Sequence, residues 1–169
     1  MKNTMLSISL FSLLLASCGG TEPEKESQEV IKTEETTAVE VPAIAEITIE
    51  GNDQMKYNLD RIDVYEGQTV RLTLKNVGVL SKEAMGHNWV LVKPGTDKEA
   101  FVAAAMNAKD QEYIPQDFEG SIIAHTPLIG GGEETTITFE APAKGFYPFF
   151  CSFPGHYAFM KGTFYVNAK

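Results

Sequence analysis

From residue 44 onward, apolar and polar residues alternate along the chain: Ile47-Thr48-Ile49, Val70-Arg71-Leu72-Thr73-Leu74 and Thr136-Ile137-Thr138-Phe139. A period of two puts one set of side chains on a core and the other in water, which predicts half-buried strands. His87-Asn88-Trp89-Val90-Leu91-Val92 and Gly162-Thr163-Phe164-Tyr165-Val166 read as further strands. Turn residues punctuate them, as in Gly51-Asn52-Asp53 and Lys93-Pro94-Gly95. Only Asp97 to Lys109, with its alanines, Met106 and acidic first turn, reads as helix. Many short strands between turns predict an all-β fold, an antiparallel sandwich or barrel, with one short inserted helix. No internal repeat is visible.

The first 43 residues follow different rules. Lys2 precedes an apolar stretch from Met5 to Ala16 broken only by serines, then Ser17 and Cys18. A basic start, a short apolar segment and small residues at the end predict an export signal over residues 1–17, too short to span a bilayer as a helix. Leu15-Ala16-Ser17-Cys18 resembles the lipobox of bacterial lipoproteins. That resemblance implies a mature protein beginning at a lipidated Cys18, and two or more acyl chains anchor a protein stably. Between Gly19 and Ala43 lie seven glutamates and two lysines with no aromatic residue. Such a segment cannot bury enough apolar surface to offset its ordering entropy, so residues 18–43 are expected to form a disordered acidic linker. The folded domain is expected over residues 44–169, held to a membrane of the cell envelope or periplasm by that linker.

Charge sharpens this division. The chain has 14 Lys+Arg against 23 Asp+Glu, a net charge of −9. Lys2 contributes +1, residues 19–43 contribute −5 and residues 44–169 contribute −5, so the acidity is concentrated in the linker. An acidic chain lacks the basic footprint of a nucleic-acid binder. At 43% apolar residues it can build one core but not several membrane spans.

Two cysteines and three histidines limit the chemistry to Cys18, Cys151, His87, His125 and His156, apart from carboxylates. Cys151, His156 and Met160 follow one another at spacings of five and four, with Pro154-Gly155 marking a tight loop between them. His87, after Gly86 at the start of a predicted strand, adds a second imidazole. Two imidazoles and one thiolate, with a weak thioether contact, form the ligand set of a blue-copper electron-transfer site. Zinc favours a tetrahedral set with more thiolates or a carboxylate.

Four stretches make the pattern more specific: Gly51-Asn52-Asp53-Gln54-Met55, Met85 through Leu91, Ile123 through Gly130, and Phe149 through Thr163. Over residues 44–169 the chain resembles the azurin family of bacterial cupredoxins. The resemblance implies a Greek-key β-sandwich with His87, Cys151 and His156 as the strong ligands of one copper ion. It implies axial contacts from Met160 and the Gly86 carbonyl, an Asn88 that ties its strand to the ligand loop, and a Phe153 amide that donates to the thiolate. It implies an apolar docking patch of Met85, Pro154, Gly155, Ala158 and Phe159 around an exposed edge of His156. The implied activity is single-electron transfer between redox proteins, with a c-type cytochrome, a cytochrome peroxidase or a copper nitrite reductase as candidate partners. No small-molecule substrate is implied.

The chain departs from the family in two ways: its lipoprotein-type N-terminus, and Ala45 and Gln68 where the family carries a disulfide. Other readings are weaker. A copper-handling lipoprotein without an electron-carrier role would be expected to cluster methionines, and the six here do not cluster. A copper oxidase or nitrite reductase fragment would need more histidines. A Cys151 nucleophile paired with His156 lacks a visible orienting third group. His125 is expected at the surface, and Trp89 in the core on the same strand face as His87.

Overall fold

Alternation does place the strands of the first sheet. The structure, a computed structural model, describes residues 41–169, so Cys18, the signal and nearly all of the linker lie outside the described residues. Strands β1 (Ile44–Asn52), β2 (Lys56–Tyr57), β4 (Thr69–Asn76) and β7 (Glu134–Glu140) form one sheet in the order β2-β1-β4-β7. Along β4, Val70, Leu72, Leu74 and Asn76 are buried while Thr69 and Arg71 are exposed. The second sheet runs β3-β9-β8-β5-β6, from β3 (Arg61–Tyr65), β9 (Lys161–Asn167), β8 (Gly145–Phe150), β5 (Val90–Val92) and β6 (Ile122–His125). The two sheets pack as an all-β sandwich, but not a purely antiparallel one. β1 runs parallel to β4, and β3 runs parallel to β9.

Alternation on β5 and β8 serves two hydrophobic layers. Leu91 and Phe149 enter the core between the sheets with Ile49, Leu72 and Phe164. Val90, Val92 and Phe150 belong to a second cluster with Phe101, Cys151 and Met160. Helix α2 (Lys98–Ala105) supplies Phe101, whose ring meets Phe150 edge-on at 5.2 Å. Trp89 is fully buried in the first core, 5.7 Å from Phe149 and 5.9 Å from Phe139 between ring centroids.

Three sequence expectations need correction. The predicted helix ends at Ala105 rather than Lys109. Asp97 caps its start by accepting from the Ala100 amide at 2.9 Å, but past Ala105 the bonds tighten to three-residue turns. Glu112 and Tyr113 then adopt positive φ and redirect the chain. A second, four-residue helix, α1 (Lys82–Met85), lies just before the first histidine. The predicted strand at His87 begins only at Val90. His87 makes a lone two-bond bridge to Ile129, and the Trp89 amide donates to Thr126 Oγ1 instead of to a neighbouring strand.

Gln68, at one position of the family disulfide, is buried and forms two short bonds. Its Nε2 donates to the Pro42 carbonyl at 2.6 Å, and its Oε1 accepts from the Tyr65 amide at 2.7 Å. These bonds join the segment entering β1 to the turn before β4 by polar contacts.

Candidate metal centre

Three separate segments bring the candidate ligands to one end of the sandwich. His87 sits between α1 and β5, and its backbone is held by the paired 2.9 Å bonds with Ile129. Cys151 follows directly on β8, and its amide donates to the Met160 carbonyl at 3.0 Å, closing the loop between them. Within that loop Gly155 has φ +83°, a left-handed conformation that a side chain would strain. The turn it makes starts a short 3-10 segment, His156–Ala158, and points the His156 ring inward.

The donor atoms converge. His87 Nδ1 lies 3.2 Å from His156 Nδ1, and Cys151 Sγ lies 3.6 Å from His156 Nδ1. One ligand atom from each of the three residues lies within 4.8 Å of the others, and all three residues are buried. Metal–nitrogen and metal–sulfur bonds of about 2.0–2.3 Å leave ligands of a shared ion at about this spacing. His87 Nε2 is 3.0 Å from the Asn52 carbonyl. Donation there fixes the tautomer and leaves Nδ1 with its lone pair facing the other two donors. The set contains a thiol and two imidazoles with no carboxylate, which suits copper in both oxidation states.

Burial sets the protonation of this group. It pushes the Cys151 thiol up to about 11, although the Asn88 amide, the Phe153 amide and the Tyr57 hydroxyl all face the sulfur and favour its ionised form. Burial first, and then the neighbouring His87, lower His156 to about 4. His87 is also lowered, chiefly by burial. Near neutral pH both imidazoles therefore offer lone pairs while the thiol keeps its proton. Loading with a metal ion must release that one proton. The apparent affinity should rise about tenfold per pH unit between pH 6 and 8, measured by competition with a chelator; a flat profile would contradict thiolate ligation.

Asn88 anchors the ligand loop from the opposite side. Its Oδ1 accepts from the Ser152 amide at 2.9 Å, and its Nδ2 donates to Ser152 Oγ at 2.8 Å and to the Glu112 carbonyl at 3.1 Å. The Glu112 carboxylate accepts in turn from Lys82 at 2.6 Å and from the Leu128 amide at 3.0 Å. Four segments thus meet beside the His87 backbone. Gly86 is held equally closely, since a Cβ added there would lie 2.4 Å from the Lys82 carbonyl.

Met160 is fully buried, and its methyl group and the His87 ring both approach Gly51: a Cβ there would meet them at 3.2 and 2.7 Å. Of the predicted docking residues, Phe159 is 63% exposed, Gly155 and Ala158 are exposed, and Met85 and Pro154 are half-buried. His156 itself is only 2% exposed, with the Phe153 ring tilted against its own at 4.6 Å between centroids. His125 is exposed and belongs to no candidate metal-holding group among the described residues. The sequence reading predicted α2 but not its place beside the docking residues. Val102, Ala103 and Met106 line a groove of about 340 Å³ with Phe153, Pro154 and Ala158, and Met106 is 65% exposed.

Comparison with known proteins agrees with this geometry. Residues 43–167 match the family model described as copper binding proteins, plastocyanin/azurin family. The chain is 44% identical to azurin of Achromobacter denitrificans over 136 residues, 75% of this chain and 89% of that one. It is 41% identical to outer membrane protein H.8 of Neisseria gonorrhoeae over 68% of this chain and 63% of that one. Among solved structures, auracyanin A, a "blue" copper protein of Chloroflexus aurantiacus, superposes with a TM-score of 0.66 at 35% identity, covering 73% of this chain and 99% of that one. The chain belongs to the plastocyanin/azurin family of copper-binding proteins, as a type 1 copper electron carrier in which His87, Cys151 and His156 form a group that could hold the ion.

Proposed function

We propose that this chain carries single electrons between redox proteins of the cell envelope without turning over a substrate. The observation behind this reading is the sealed donor set: His87 and Cys151 are 0% exposed and His156 only 2%, which leaves a substrate no access. Copper, when bound, supplies a one-electron couple between Cu(II) and Cu(I). The residues around it do the remaining work. His87, Cys151 and His156 would hold the ion, with the Met160 thioether and the Gly86 carbonyl as weaker contacts. Asn88 and the Phe153 amide keep the ligand loop and its sulfur in place. A frame held from so many sides resists rearrangement, so it serves both oxidation states at little reorganisation cost.

The His156 ring is the ligand nearest the surface, and the apolar rim of Phe159, Ala158, Gly155, Pro154 and Met85 beside it suits brief docking. Weak redox encounters occupy the small end of interface sizes. A c-type cytochrome, a cytochrome peroxidase or a copper nitrite reductase fits such a patch. Phe159→Lys should slow electron exchange with a c-type cytochrome about tenfold in stopped-flow mixing while leaving the visible spectrum unchanged. An altered spectrum with normal exchange would contradict the docking role.

Export and lipidation at Cys18, with residues 18–43 as a tether for the domain that follows, complete this reading. Support comes from the lipobox-like Leu15–Cys18 and from a relative named as an outer membrane protein. Among the described residues no helix is long and apolar enough to cross a membrane. Cys18→Ala should move the protein from the membrane to the soluble fraction; an unchanged distribution would rule the anchor out.

A further inference from the structure

The hairpin after β1 places a polar group where the hydrophobic cluster around the ligands would otherwise be closed. Tyr57, in the two-residue strand β2, pairs with Gly51 and turns its ring inward, 6.0 Å from Phe149 between centroids. Its side chain packs against the cluster that contains Cys151 and Met160. Its hydroxyl donates to the Asn88 carbonyl, across a sequence separation of 31 residues. We propose that Tyr57 is a positioning residue of the metal centre: its hydroxyl clamps the Asn88 backbone beside His87, and through Asn88 it steadies the loop that carries Cys151 and His156. This rests on the reading of Cys151 as a copper ligand.

Asn88 is fully buried, and its side chain holds Ser152 and Glu112. Without Tyr57 its carbonyl would lose its partner in an interior that penalises unpaired acceptors. The residue that orients both ends of the ligand framework would then gain freedom. Contacts that orient the ligands tune the potential of such sites, and the Tyr57 hydroxyl is the donor that holds Asn88 in place. A phenylalanine would fill the same space without this donor.

Tyr57→Phe keeps the ring and its contact with Phe149, so the variant should fold and load copper with an intense visible band. Its reduction equilibrium, followed by electrode titration, should move about three- to tenfold, and its charge-transfer band should shift in position. In the metal-free variant, hydrogen exchange at the Asn88 and Ser152 amides should speed up about tenfold. An unchanged potential and band, even with lowered thermal stability, would reduce Tyr57 to a packing residue and overturn the proposal while leaving copper ligation intact. Absence of the intense band from the unsubstituted protein would instead overturn the reading on which the proposal rests.

Discussion

Cys151→Ser protein is expected to stay colourless when Cu(II) is added, and to bind the ion at least about a hundredfold more weakly. The intense absorption of a blue site arises from charge transfer between a thiolate and Cu(II), and no other thiol lies among the described residues. A serine hydroxyl does not ionise at neutral pH, and as a neutral oxygen donor it is harder than the sulfur it replaces. Losing even an outer contact of a metal site costs 10–100-fold in affinity, so losing a direct ligand should cost at least as much. The exchange is nearly isosteric. The residue ends a strand, and its amide bond to the Met160 carbonyl is untouched, so circular dichroism should match the parent protein. A blue band in this variant would show that the sulfur is not a ligand.

Asn88→Ala carries the largest expected stability loss, about 3–5 kcal/mol in denaturant unfolding of the metal-free protein. The side chain is fully buried, and its removal leaves the Ser152 amide, the Ser152 hydroxyl and the Glu112 carbonyl without their partner. Each unpaired buried group costs about 1–3 kcal/mol. The substitution also opens a small space beside two ligand-bearing segments, so copper should be released faster. A loss below about 1 kcal/mol would mean that the ligand loop is held by other contacts.

The ligand set was legible because three of its members lie within ten residues and the fourth follows a glycine at a turn. Cys151, His156 and Met160 are neighbours in sequence because one closed loop bears them all, and a local signal survives any uncertainty about the fold. The alternation in β1, β4 and β7 was legible for the same reason. β8 was not, since Gly145-Phe146-Tyr147-Pro148-Phe149-Phe150 is an aromatic run with a proline rather than an alternating pattern. Its paired register with β5 ends at Leu91–Phe149, so Pro148 adjoins β9 alone.

Non-local facts were hidden altogether. The parallel pairing of β1 with β4 depends on register between distant segments, and the sequence reading therefore defaulted to antiparallel order. His87 to Trp89 looked like strand because apolar density cannot reveal that their polar groups bond to Thr126, Ser152 and Tyr57 instead of a ladder. Tyr57 gave no signal, because its importance arises only when β2 folds back on β1. The apolar groove beside the ligand loop was also missed, since a helical pattern over α2 cannot say that Met106 and Val102 line it with Phe153 and Pro154.

One titration tests the central claim most directly. Purified protein, reduced and freed of metal, is mixed with increasing Cu(II) while the visible spectrum is recorded. An intense blue band should grow to a sharp end point at one ion per chain, bleach on adding ascorbate and return on adding ferricyanide. A chain that stays colourless, saturates at another stoichiometry or fails to recover its band after reduction would contradict a single type 1 copper centre at His87, Cys151 and His156.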